Sequence, residues 1–373
     1  MQNQSDLLSG RCRAGRFRLK YIAVALSCAT ACLCLFGTAA VAAQAGASRS
    51  TPTRWPEGIT PATAKAIDRG LAYLASHQNR QGAWSNKGGY GAYPVAMTSL
   101  AGLALLMDGN TTTQGRYAPQ VDRAAKYVLR SAGANGMIGR MEFEPRPMYG
   151  HGFGMLFLSQ LYGMTEDADR ASQIHGVLSR GVELTTRAQS RAGGWIYTPT
   201  SGGDEGSVTI TQVQALRSCR NVGVAVPKET IDQAMDYLAR SQNSDGGIRY
   251  SVRQRGGTSR VPITAAAVCC WFNAGEYDNP RALRALKYAK GILKPNTRVG
   301  GHDFYAHLYL AQALYVSSDE SWKDYFPKRR DYLLRLQRQD GSWQGDGVGD
   351  IYGTAIALII LQLPYNQLPI MQP

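Results

Sequence analysis

Gln78-Asn79-Arg80-Gln81-Gly82-Ala83-Trp84 decides how this chain is read. Its frame of Gln, three residues, Gly, one residue, Trp returns at Gln189–Gly193–Trp195 and at Gln337–Gly341–Trp343. A fourth copy, Gln242–Gly246–Ile248, lacks the Trp but has Tyr250 two residues later, and reduced copies stand at Asn135-Gly136 and Gly300-Gly301. With Gly82, Gly136, Gly193, Gly246, Gly300 and Gly341 as markers, the spacings are 54, 57, 53, 54 and 41 residues. A period of about fifty residues marks stacked supersecondary units that bury a common core together.

Working outward from each marker, the same two segments recur. Before it lies an amphipathic stretch: Ile67, Leu71, Leu74 and Ala75 share one helical face, and Ile231–Leu238 and Tyr332–Leu336 repeat the form. After it lies a stretch apolar on nearly every side, as in Val95–Met107, Met155–Leu161, Val261–Phe272 and Ile356–Leu363. A helix apolar all round must be buried, whereas a helix with one apolar stripe coats something. Twelve helices, alternately outer and inner and closed into a ring, satisfy both demands, so the expected fold is all-α, a six-fold α/α toroid. The marker glycines suit left-handed residues at helix C-termini. The Gln would bond free helix-end groups, and the Trp would cover the joint between units.

This grammar resembles the QW-type repeats of squalene-hopene cyclases and the related protein prenyltransferase β subunits, over about residues 60–364. The resemblance implies a central cavity facing the N-termini of the inner helices. Residues opening those helices are therefore the site candidates: Tyr90, Tyr93, Tyr149, His151, Asp204, Glu205, Ser207, Thr209, Gln212, Thr264, Asp303, Tyr305, His307, Asp350, Tyr352 and Thr354. Among these, Tyr149, His151, Thr209, Gln212, Tyr305, His307 and Tyr352 are expected to line the cavity, with Asp350, Asp204 and Glu205 as candidate catalytic acids. Acids and hydroxyls at helix starts also serve as caps.

The chemistry of both resembled families is incompletely represented. The cyclases carry Asp-x-Asp-Asp before Thr-Ala, since alkene protonation needs a neutral, strongly acidic carboxyl in a dry aromatic pocket. Here Asp350-Ile351-Tyr352-Gly353-Thr354-Ala355 keeps only the first acid, and Glu205-Gly206-Ser207-Val208-Thr209 also lacks the later two. Prenyltransferases hold zinc through Asp, Cys and His. Asp303-Phe304-Tyr305-Ala306-His307 matches their Asp-Phe-Tyr-His segment with one insertion, but the expected Asp-x-Cys reads Thr264-Ala265-Ala266. No metal or cofactor is therefore expected. The Gly-Cys-Gly-Glu-Gln segment of complement-type thioester domains is absent. The favoured reading is a degenerate toroid that binds a lipid-like or other ligand. The first alternative is an active isoprenoid cyclase or transferase with an atypical acid. The second is a glycan lyase or glycan-binding protein, for which Tyr149, His151, Arg146 and Arg140 supply the residue types.

The 373 residues carry a formal charge of +14. Arg11, Arg13, Arg16, Arg18 and Lys20 against Asp6 contribute part of it in the first 43 residues, and the remainder forms no basic run, which argues against nucleic acid as a partner. These bases precede the apolar stretch Tyr21–Ala43, which closes on Ala40-Val41-Ala42-Ala43. Residues 1–43 thus read as a signal peptide or, if uncleaved, a signal anchor, with membrane association only in the second case. A linker over 44–59 and a toroid over 60–373 would then face an exported, periplasmic or extracytoplasmic compartment. Outside the leader, Cys219, Cys269 and Cys270 are odd in number, lack metal-ligand spacing, and suit buried thiols.

Overall fold

The computed structural model describes residues 55–86, 88–317 and 319–372, so the leader read from the sequence lies outside the described residues. Twelve α-helices occupy them: α1 Pro61–His77, α2 Pro94–Met107, α3 Ala118–Arg130, α4 Pro147–Tyr162, α5 Ala168–Ala188, α6 Gly206–Asn221, α7 Lys228–Arg240, α8 Val261–Asn273, α9 Pro280–Ile292, α10 Asp303–Ser317, α11 Asp319–Leu336 and α12 Asp350–Gln362. The even-numbered helices pack side by side into an inner barrel that closes where α12 meets α2. The odd-numbered helices coat it. All fourteen residues of α2 are buried, whereas α3 buries only the stripe Ala118, Val121, Ala124, Ala125, Val128 and Leu129. The chain is an all-α toroid. No described helix is long and apolar enough to cross a membrane.

The Gln-Gly-Trp frame is a clasp, and its parts act in different directions. Gln78 Nε2 donates to Gly82 O at 2.9 Å and to Gln120 O, in the first turn of the next outer helix, at 2.9 Å. Gln189 reaches Gly193 O and Thr230 O, Gln242 reaches Gly246 O and Arg281 O, and Gln337 reaches Gly341 O and Ala66 O. The last of these joins α11 to α1 and shuts the ring. The marker glycine has φ near +90°, and a Cβ at Gly193 would lie 2.3 Å from Gln233 O of the neighbouring helix. Only Gly fits both constraints.

The Trp makes its hydrogen bonds inside its own unit, while its ring reaches the next one, as the inter-unit cover expected from the sequence requires: a Cβ at Gly70 of α1 would lie 2.8 Å from the Trp343 ring. Trp84 Nε1 donates to Leu74 O near the end of α1, and its backbone N donates to Thr98 Oγ1 of α2. Trp195 and Trp343 repeat this with Thr185 O and Thr209, and with Leu333 O and Thr354. Ile248 takes the same place, with its N–H on Thr264 Oγ1, so Tyr250 is not its substitute. Gly136 keeps the clasp geometry, 2.2 Å from Arg180 O by the same measure, but Gly301 has open space around it. The fifth unit therefore lacks this joint.

Past α12 the chain makes two short 3-10 turns, Leu363–Tyr365 and Pro369–Met371. Leu368, Ile370 and Met371 are buried, and the second turn packs on α6 and α10. Cys219, Cys269 and Cys270 are free and buried in the barrel wall. Burial raises all three thiols, Cys270 to about 12, which keeps them protonated and inert.

Candidate functional site

At the N-terminal ends of the inner helices the barrel opens into a cavity of about 560 Å³. Its wall is aromatic and aliphatic: seven tyrosines, among them Tyr149, Tyr197, Tyr250, Tyr305 and Tyr352, stand with Met97, Leu100, Phe153, Ile263 and Val299. Among the described residues, the charged side chains on the wall are Arg146, Arg260 and Asp303, with His302 near the rim. A cavity of this size with few polar groups suits a small organic ligand.

The loops around the mouth share one structural task, since the loop of one unit caps the inner helix of the unit before it. Glu144, ahead of α4, accepts from Val95 N of α2 at 2.9 Å. Tyr197 O accepts from Met148 N, and Tyr250 O from Gly206 N. Asp346, ahead of α12, takes Phe304 N and Tyr305 N at 3.1 Å each. Anionic caps at helix N-termini are favourable electrostatically. Burial nevertheless raises the Glu144 carboxyl to about 7, partly offset by its backbone donors. Tyr93, on the cavity wall, and Asp346 are non-glycine residues with φ of 42° and 46°, which costs roughly 1–3 kcal/mol each and concentrates strain at this end.

One hydrogen-bonded chain leads from the cavity into the wall. Tyr149 Oη lies 2.6 Å from Ser207 Oγ and 3.3 Å from Glu205 Oε1, while Ser207 donates to both oxygens of Glu205 at 2.8–2.9 Å. Glu205 also caps α6 by accepting from Ser207 N and Val208 N. Burial raises the carboxyl above its usual range against these donors, and burial with the Glu205 charge raises Tyr149. Nearby, Tyr197 and Tyr250 are hydroxyl to hydroxyl, and the Arg146 guanidinium lies over the Tyr197 ring, 4.4 Å from its centroid.

The structure places the sequence candidates in three groups. Tyr149, Tyr305 and Tyr352 border the cavity, as do Tyr90, Tyr93, Ser207 and Asp303. Glu205 stands behind Tyr149 and Ser207. The remaining candidates are not on the wall. His151 Nδ1 accepts from Ile138 N and its Nε2 meets Thr185 Oγ1 of α5, so the ring sits neutral between inner and outer helices. Burial lowers it to about 4. It occupies the place that Thr98, Thr209, Thr264 and Thr354 hold in other units. His307 holds the equivalent turn of α10, bonded to Tyr325 of α11, with its pKa driven down by burial and by the Arg329 charge. Thr209 belongs to the Trp195 clasp, and Gln212 bonds Met148 O between α4 and α6.

The acids are equally engaged. Asp350 pairs with Arg338 at 3.1 Å, partly exposed and off the cavity wall. Asp204 is buried and binds Tyr237, Ser251, Val252 N and Arg253. Asp303 pairs with the wholly buried Arg329 at 3.0 Å and accepts from Val299 N. Sequence reasoning missed Tyr197, Tyr250, Arg260 and Asp346. The first two had a readable signal, since each lies two residues past its clasp residue, Trp195 or Ile248. Among the described residues, no group of three or more His, Cys, Asp or Glu is placed to hold a metal.

The fold and this cavity define a class, the α/α toroid with a cavity at the inner-helix N-termini. Among solved structures, the chain is similar to type II terpene cyclase MstE from Scytonema in its apo form: TM-score 0.55 and 15% identity over 83% of this chain and 100% of that one. A variant of MstE in complex with its product merosterolic acid A gives TM-score 0.57 and 16% identity, covering 82% and 98%. An inactive variant of an α-1,6-mannanase from Salegentibacter in complex with α-1,6-mannotetrose gives 0.59 and 9%, covering 82% and 99%. No protein-family model matches the sequence, and no curated protein does.

Proposed function

We propose that this toroid is an exported binding protein of the squalene-cyclase-like kind, which holds an elongated lipid-like or isoprenoid molecule in its central cavity without initiating a carbocation. One observation carries this reading: the cavity wall is largely aromatic and aliphatic, and the one carboxyl on it among the described residues, Asp303, is locked to Arg329. Alkene protonation needs a free, neutral acid facing the substrate. Glycosidic cleavage by the common route needs two carboxyls about 5–10 Å apart across the bond. The wall offers neither. The neighbours include terpene cyclase complexes with an isoprenoid substrate and with a product and mannanase complexes with oligosaccharides, so the lining of the cavity is what favours a lipid-like ligand over a sugar.

A second reading, an isoprenoid cyclase or transferase with an unusual acid, draws on Glu205, whose carboxyl reaches the cavity through Ser207 and Tyr149. One experiment separates the readings. The full chain is incubated with geranylgeraniol, squalene or α-1,6-mannotriose, and bound ligand and conversion products are measured by mass spectrometry. Binding of a polyprenyl compound with unchanged mass and retention time is expected. Cyclised product that disappears in Glu205→Gln would transfer the assignment to the second reading, and binding of mannotriose alone would exclude both.

A further inference from the structure

We infer that the ligand carries an anionic head, a carboxylate or a phosphate, held at the cavity mouth by Arg146 and Arg260. This rests on the lipid-binding reading and names the chemistry of one end of the ligand. Both arginines line the cavity. They stand at the same place in their units, the residue immediately before α4 and immediately before α8. Neither has an ion-pair partner among the described residues, although the neighbouring Arg140, Arg253 and Arg338 are each paired with an acid. Stacking on Tyr197 holds the Arg146 guanidinium by its face. That contact leaves its N–H edge for an oxyanion, the geometry in which guanidinium binds carboxylate and phosphate best.

The acids of this end make their contacts away from both arginines. Glu144 and Asp346 cap α2 and α10, Glu205 caps α6, and Asp303 answers Arg329. Two guanidiniums with no acid in contact, above an aromatic and aliphatic chamber, match a molecule with the complementary division. A neutral hydrocarbon gains nothing from the two guanidiniums. A neutral sugar gains little from the wall below them.

The test holds the chain constant and varies the head. The full protein is titrated with geranylgeraniol, geranylgeranoic acid and geranylgeranyl monophosphate at low and high salt. Arg146→Ala, Arg260→Ala and the double variant follow, with melting temperatures confirming the fold. One or both anions should bind at least tenfold tighter than the alcohol at low salt, and whichever leads identifies the head. The preference should shrink as salt rises and vanish in the double variant, while Arg146→Lys keeps part of it. Equal affinity for alcohol and anions, or a preference that survives the double variant, overturns the inference while leaving the lipid reading in place. If none of the three binds and α-1,6-mannotriose does, the lipid reading itself falls.

Discussion

The clasps and the cavity mouth share one end of this barrel but were built under different rules. Around the clasps the same bonds recur unit after unit: a Gln reaching the next outer helix, a Gly whose Cβ would strike its backbone, and a Thr taking the N–H of the clasp residue. Around the mouth the caps vary in kind. A Glu, two backbone carbonyls and an Asp do one job in four units. Repetition marks what keeps the ring closed, and variation falls where the proposed ligand would enter. The comparison also separates the two tempting histidines from the site, since His151 and His307 belong to the repeated wall.

Breaking a clasp should cost most. Trp195→Ala removes a fully buried indole and its bond to Thr185 O, and should destabilise by about 4 kcal/mol. Gly193→Ala, at φ +89° with Gln233 O in the way, should cost roughly 3 kcal/mol. Chemical denaturation checks both, and a change under 1 kcal/mol in either would mean that the clasps do not carry the ring.

Two buried groups titrate with opposite sign, one in each region. His151 is about 4 in the folded chain against an ordinary 6.5, so the unfolded chain binds the extra proton between those values. Its contribution is intact above pH 6.5 and is lost as pH falls toward 4, by up to about 3 kcal/mol. His151→Thr restores the residue used by other units and should flatten that acid limb. Glu144 is about 7 against 4.5, so the folded chain holds the proton longer, and stability falls as pH rises from 4.5 to 7, again by up to about 3 kcal/mol. Glu144→Gln should remove that slope. Melting temperatures across pH 4–8 test both, and slopes of equal sign would contradict the assignment. The smallest effect on stability belongs to the cavity: Tyr197→Phe and Tyr250→Phe should each shift unfolding by no more than about 1 kcal/mol. The same substitutions should weaken ligand binding several-fold, as calorimetry would show.

The ring was legible because its signals are local. A Gln and a Gly four residues apart, an amphipathic stripe before them and an all-round apolar segment after them are properties of adjacent residues. The tyrosines at 149, 305 and 352 were placed by the same logic, as residues opening inner helices. What escaped is the direction of each side chain about its helix. His151 and His307 fall one turn inside their helices, on the face toward α5 and α11, which becomes visible only when they are set beside Thr98, Thr209, Thr264 and Thr354. The acids escaped for a different reason. Glu144 and Asp346 lie in loops, and the helix each one caps belongs to the preceding unit, about fifty residues back in Glu144 and about forty in Asp346.

Native mass spectrometry of the full chain, purified without detergent from cells and measured intact, tests the central claim most directly. The account predicts one tightly held lipid-like molecule per chain, ejected unchanged on activation and lost when Tyr149 and Phe153 are replaced by Ala and Arg. A protein that emerges empty and stays empty after exposure to total lipid extract, or that carries an oligosaccharide instead, would contradict it.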